Sequence, residues 1–171
     1  PYAGLAGILF FFYLKILMTN LNKDDSRVIA QTKEWVNSVI VKHHFCPFAR
    51  REVERDSIKY QVVHETEFNS LLNAVLGECI WLDQHADTET TLIIIPSNLN
   101  EFYLFLDCLA LAEDLLVSQG YEGVYQIASF HPDYCFQGAD INDPANYTNR
   151  SPYPMFHLIR EASVQAAIEH H

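Results

Sequence analysis

Cys46 stands directly before Pro47, with Arg50 and Arg51 one turn further along the chain. Proline disfavours helical backbone in the residue before it and suits the first position of a new helix. The pair therefore predicts a break at Cys46 and a short helix over residues 47–54. Free amide groups at a helix start favour a thiolate at the cap, so Cys46 is the candidate nucleophile. A small buried thiol at a tight junction is the competing reading. His131-Pro132-Asp133 supplies a candidate base, His131, with Asp133 or Asn149 to orient it. Cys46, His131 and Asp133 would serve thiol-dependent hydrolysis or acyl transfer.

A second constellation follows. His157, Arg160 and Glu161 are spaced three and four apart, which on a helix places them on one face. With Asn149 and Arg150 just upstream they form a candidate ligand-binding set for a small anion, since guanidinium groups hold carboxylates and phosphates. A solvated helix face with an internal ion pair competes with this. His131, Asp133, His157 and Glu161 also make a nitrogen and oxygen donor set for a metal. Arg160 beside them disfavours a cation, so the metal reading ranks lower. A third reading is a non-catalytic pocket that takes an anion or a protein partner through Arg150, Arg160 and the loop tyrosines. No pattern names a cofactor, and the two matches to the N-glycosylation pattern, at Asn146 and Asn149, read as chance.

These residues must be positioned by regular elements. Asp24, Asp25 and Ser26 suit a helix start, and Val28, Ile29, Trp35, Val36, Val39 and Ile40 recur with helical spacing. Residues 57–64 alternate as a half-buried strand. Residues 68–80 carry an amphipathic helical pattern, and residues 90–95 an apolar run typical of a strand covered on both faces. A strongly apolar helix over 100–118 and a third strand over 124–130 follow. Residues 131–153 lack periodicity and exceed the usual length of a structureless connection, which points to a functional loop. Residues 154–168 read as a last helix. The order predicts an α/β fold: a small, mostly parallel three-stranded sheet, order 1-2-3, with helices on both faces. Ligands of such sheets bind beyond the carboxyl ends of the strands, where His131 falls.

The 171 residues fit one domain, placed at 18–171. A chain of this size buries about 70% of its unfolded surface, so it folds without disulfides or metal. Hydrophobic residues make up 49% and charged residues 19%, a globular composition. A formal net charge of −11 argues against nucleic acid as a partner. The four cysteines include no CxxC pair, which argues against a zinc knuckle and suits a reduced, cytoplasmic protein. Residues 1–17 are apolar but too short to span a bilayer and lack a basic leader. They read as an extraneous extension ahead of Met18, and no membrane contact is expected of the core domain.

Three motifs together carry a resemblance: Cys46-Pro-Phe-Ala-Arg50, the segment from Tyr125 to Tyr134, and Tyr147-Thr-Asn-Arg-Ser-Pro-Tyr-Pro154 with the segment from His157 to Ala162. Over about residues 32–162 the chain resembles an uncharacterised bacterial family, domain of unknown function 1415. The resemblance implies a bacterial protein and a chain that continues beyond His171. It transfers no activity.

Overall fold

A computed structural model describes residues 23–65 and 67–169. The expectation for residues 1–17 lies outside them. Helix α1 spans residues 23–35 and runs on into a π-helical turn, Val36–Val41. Its buried residues, Val28, Thr32, Trp35, Val36 and Ile40, recur at helical spacing and form one stripe. The π turn shows in two widened hydrogen bonds, Lys42 N to Asn37 O at 3.1 Å and Phe45 N to Ile40 O at 3.0 Å. Positive φ at His44 and then Pro47 end it. The short helix α2, Ala49–Glu54, follows.

Strand β1 is Ile58–Val62, helix α3 Phe68–Gln84, strand β2 Thr90–Ile94, helix α4 Phe102–Ser118 and strand β3 Tyr125–Phe130. Every residue of β2 is buried, as its apolar run requires. β1 and β2 pair in parallel, Tyr60 opposite Leu92. The expected pairing of β2 with β3 fails. Residues 154–168 are not one helix: Met155–Arg160 forms strand β4, and only Glu161–Glu169 is helical, as α5. β4 lies antiparallel between β2 and β3, with His157 opposite Leu92 on one side and Ala128 on the other. The sheet is therefore four-stranded and mixed, in order β1-β2-β4-β3, in place of three parallel strands in order 1-2-3. A strand covered on both faces has an unbroken apolar run, and short runs of that kind fit helix and strand patterns alike. Here tertiary pairing decides.

Two cores flank the sheet. On one face α3 and α4 pack Leu71, Val75, Cys79, Phe105 and Cys108 against Ile93, Phe156 and Leu158. On the other, α1 and the π turn pack Val28, Trp35, Val36 and Ile40 against Leu92, Ile94 and Met155. The strands thus have helices on both faces, as the sequence predicts. No helix among the described residues is long and apolar enough to cross a membrane.

The long segment between β3 and β4 is built around Asn146, which is fully buried on a 3₁₀ turn, Pro144–Thr148. Its Oδ1 accepts from Phe136 N at 2.9 Å, and its Nδ2 donates to Asp140 O at 2.9 Å and to Ile141 O at 3.3 Å. The amide that the glycosylation pattern would need is thus engaged inside the fold. Replacing Asn146 with Ala leaves a buried amide and a carbonyl unpaired, so N146A should lose about 1–3 kcal/mol in urea unfolding and be cut faster by trypsin at Arg150. Unchanged stability and protease resistance would show that the loop does not depend on this side chain.

Candidate functional site

The described residues enclose a cavity of about 340 Å³ between the sheet and the α1–α2 layer. That size is within the range of small-ligand sites, about 300–1,000 Å³. Its floor is the face of the sheet that carries Ile58, Leu92, Ala128, His157 and Ile159. Trp35, Val36 and Ile40 form the wall opposite, Cys46 and Ala49 belong to the α2 side, and Ser163 and Val164 of α5 also line it. The widened turn bordering the cavity is of the kind that often marks functional positions. Trp35 meets Phe130 edge-on, ring centroids 5.1 Å apart, and Phe130 lies 6.0 Å from the His157 ring. The indole Nε1 donates to Arg150 O at 2.9 Å, which ties this wall to the long loop.

His157 is a polar group on this largely apolar floor, which also carries Thr90 and Gln126. Burial lowers its pKa from 6.5 to about 4, so the imidazole is neutral near pH 7. A neutral ring has one donor and one acceptor nitrogen. Neither makes a hydrogen bond with a described residue. His157 is half-buried and lines the cavity without a hydrogen-bond partner among the described residues.

The amino-terminal end of the cavity is charged. Burial pushes the Glu52 carboxyl up, but Ser57 Oγ at 2.7 Å and Arg51 Nε at 2.6 Å donate to it, and the charges of Arg51 and Arg55 add to this. The net result is a pKa below the usual carboxylate range. Glu89 lines the same cavity, and its Oε1 is buried without a hydrogen-bond partner.

The residues singled out from the sequence separate. Cys46 and His157 share the cavity. His131 does not join them. It is fully buried on the α4 side, its ring 5.2 Å from that of Phe102 and 5.0 Å from that of Phe105. Nε2 donates to Leu99 O at 2.9 Å and Nδ1 accepts from Asp133 N at 3.0 Å, so both ring nitrogens are engaged with backbone. Leu99 adopts φ of 60°, a left-handed conformation uncommon for a branched residue, and this bond helps to hold it. Asp133 approaches His131 through its amide, not its carboxylate. Asn149 donates through Nδ2 to Ser129 O at 3.1 Å. Cys46 also precedes α2 by three residues and does not cap it, because Phe48 holds that position.

The arginines are equally occupied. Arg150 donates to Tyr134 O at 3.1 Å and Ile141 O at 2.6 Å, with its guanidinium over the Tyr147 ring. Arg160 donates to Leu82 O at 2.7 Å, to Thr88 O at 3.1 Å and to the Tyr125 hydroxyl at 3.1 Å. Arg160 pairs with Tyr125 at one end of β3, and His131 follows its other end, about 20 Å away at the usual rise per residue. Glu161 contributes its amide to Val124 O at 3.0 Å. Among the described residues, no three His, Cys, Asp or Glu side chains converge closely enough to hold a metal. Glu89 and Phe130 were not singled out from the sequence. Glu89 precedes a strand without any motif, and only the fold reveals its place.

The pKa of His157 has a consequence for stability. Below pH 6.5 the unfolded chain binds a proton at His157 that the folded protein refuses down to about pH 4. Stability should therefore fall by up to about 3 kcal/mol as pH drops through this window. Carboxylates titrate here too, so the readout is the difference between wild type and H157F, which lacks this component. Parallel pH profiles for the two proteins would show that His157 is not held neutral.

The model of a family described as "Protein of unknown function (DUF1415)" matches residues 27–171. Searches of the curated proteins and of the solved structures found no match. With that match covering most of its length, the chain belongs to the DUF1415 family.

Proposed function

We propose that this domain binds a small, largely apolar molecule in the cavity between the sheet and the α1–α2 layer, with His157 as the hydrogen-bonding group that orients it. The neutral, unbonded imidazole in a largely apolar floor carries this reading. It keeps Cys46 and His157 from the residues that the sequence singled out, and drops His131, the two arginines and the anion. Arg150 and Arg160 hold backbone carbonyls, and Arg51 has its Nε on Glu52. Ligand sites of this type are mostly apolar with a few placed polar groups.

Cys46 offers a reporter. It is half-buried and lines the cavity, whereas burial pushes the thiols of Cys79 and Cys108 up to about 12 and about 11. The other half-buried thiol, Cys135, lies in the long loop and bonds to Ala139 O at 3.6 Å. Limited alkylation followed by mass mapping should label Cys46 and Cys135 before the other two. Adding 2-phenylethanol, a neutral aromatic probe, should slow labelling of Cys46 saturably and leave Cys135 unchanged. H157F should remove the protection. Equal slowing of both thiols, or none at either, contradicts occupancy of this cavity.

A further inference from the structure

Glu89 alone among the described residues both lines the cavity and carries a buried side-chain oxygen without a partner. Among the described residues only one other such oxygen occurs, Thr91 Oγ1, on a residue that is not part of the cavity lining. Glu89 is half-buried, and a carboxylate held beside a largely apolar cavity with one oxygen unpaired is best satisfied by a cationic donor in that cavity. Building on the ligand-binding reading above, we infer that the natural ligand is an amine, its ammonium group received by Glu89 and its apolar body lying along the floor toward His157.

The geometry fits such a molecule. Glu89 directly precedes β2, and His157 pairs with Leu92, three residues further along that strand. Three residues of strand span about 10 Å, so a ligand of that length reaches both groups. The nearby cation does not fill the role, because Arg51 directs its Nε to Glu52 at 2.6 Å and no hydrogen bond joins it to Glu89 Oε1. An ammonium supplies up to three donors, whereas a carboxylate supplies none. Charge-assisted hydrogen bonds are about twice as strong as neutral ones.

Three probes of matched shape separate this inference from the reading it rests on: 2-phenylethylamine, 2-phenylethanol and phenylacetate, titrated calorimetrically into the full chain at pH 7. The amine should bind about tenfold more tightly than the alcohol, and the carboxylate more weakly than either. E89Q, which keeps the side-chain shape, should bring the amine down to the affinity of the alcohol and leave the alcohol unchanged. If the alcohol binds and the amine binds no better in the wild type, the inference fails while the ligand-binding reading stands. If the amine is preferred equally by E89Q, the ammonium is received elsewhere and the inference fails. If none of the three binds, both fall. The wild-type series decides the matter even if E89Q folds poorly.

Discussion

Strict alternation along β4 governs the whole arrangement. Because β4 is paired on both edges and covered on both faces, each successive side chain must go to the opposite core. Phe156 and Leu158 go to the α3–α4 side and complete its packing. Met155, His157 and Ile159 go to the α1 side. A histidine placed by this rule in a largely apolar layer is half-buried and finds no partner on its own strand. Desolvation then keeps it neutral. The same rule sends Arg160 to the opposite face, where it ties the turn after α3 to the sheet through Leu82, His85 and Thr88 carbonyls.

The two ends of the sheet carry different tasks. At the carboxyl ends of β1–β3, the long loop is a self-supporting cap. His131 N bonds to Asn149 O at 3.1 Å and closes its base, Asn146 fills its centre, and Arg150 binds its strands together. The residues there that look chemically equipped are engaged in holding backbone. Toward the other end lie Glu52, Arg51, Glu89 and the α5 residues Ser163 and Val164, and there the cavity carries its charge. The cavity lies on the sheet face and not beyond the carboxyl ends, where ligands of open α/β sheets usually bind. Inserting an antiparallel strand removes the crevice that a purely parallel sheet would have at its switch point.

The helices α1, α3 and α4 and the strand β1 were legible from their periodicity, β2 from a short β-branched apolar run closed by Pro96, and Pro47 marked the break before α2. β4 was not, since Met-Phe-His-Leu-Ile fits a buried strand and a buried helix segment equally. That ambiguity explains why the expected grouping on one helix face comes apart. A helix over His157 to Glu161 would have placed His157, Arg160 and Glu161 on one face, whereas a strand separates His157 from Arg160. Cys46 and His157 were recognised as chemically notable, and they do share the cavity. Glu89 was invisible because its significance is an unpaired oxygen, which exists only once β2 and α2 are packed together.

Of the two histidines that the described strands and loops place in the cores, His131 has both ring nitrogens engaged and His157 has neither, so the His157 nitrogens report occupancy of the cavity directly. Nitrogen-15 NMR of the histidine side chains, recorded during titration with 2-phenylethanol at pH 7, distinguishes His157 from His131, whose nitrogens bond to Leu99 O and Asp133 N. Binding in the cavity predicts that a His157 ring nitrogen shifts saturably while both His131 nitrogens stay fixed. A stationary His157 under saturating probe, or a shift confined to His131, would contradict it.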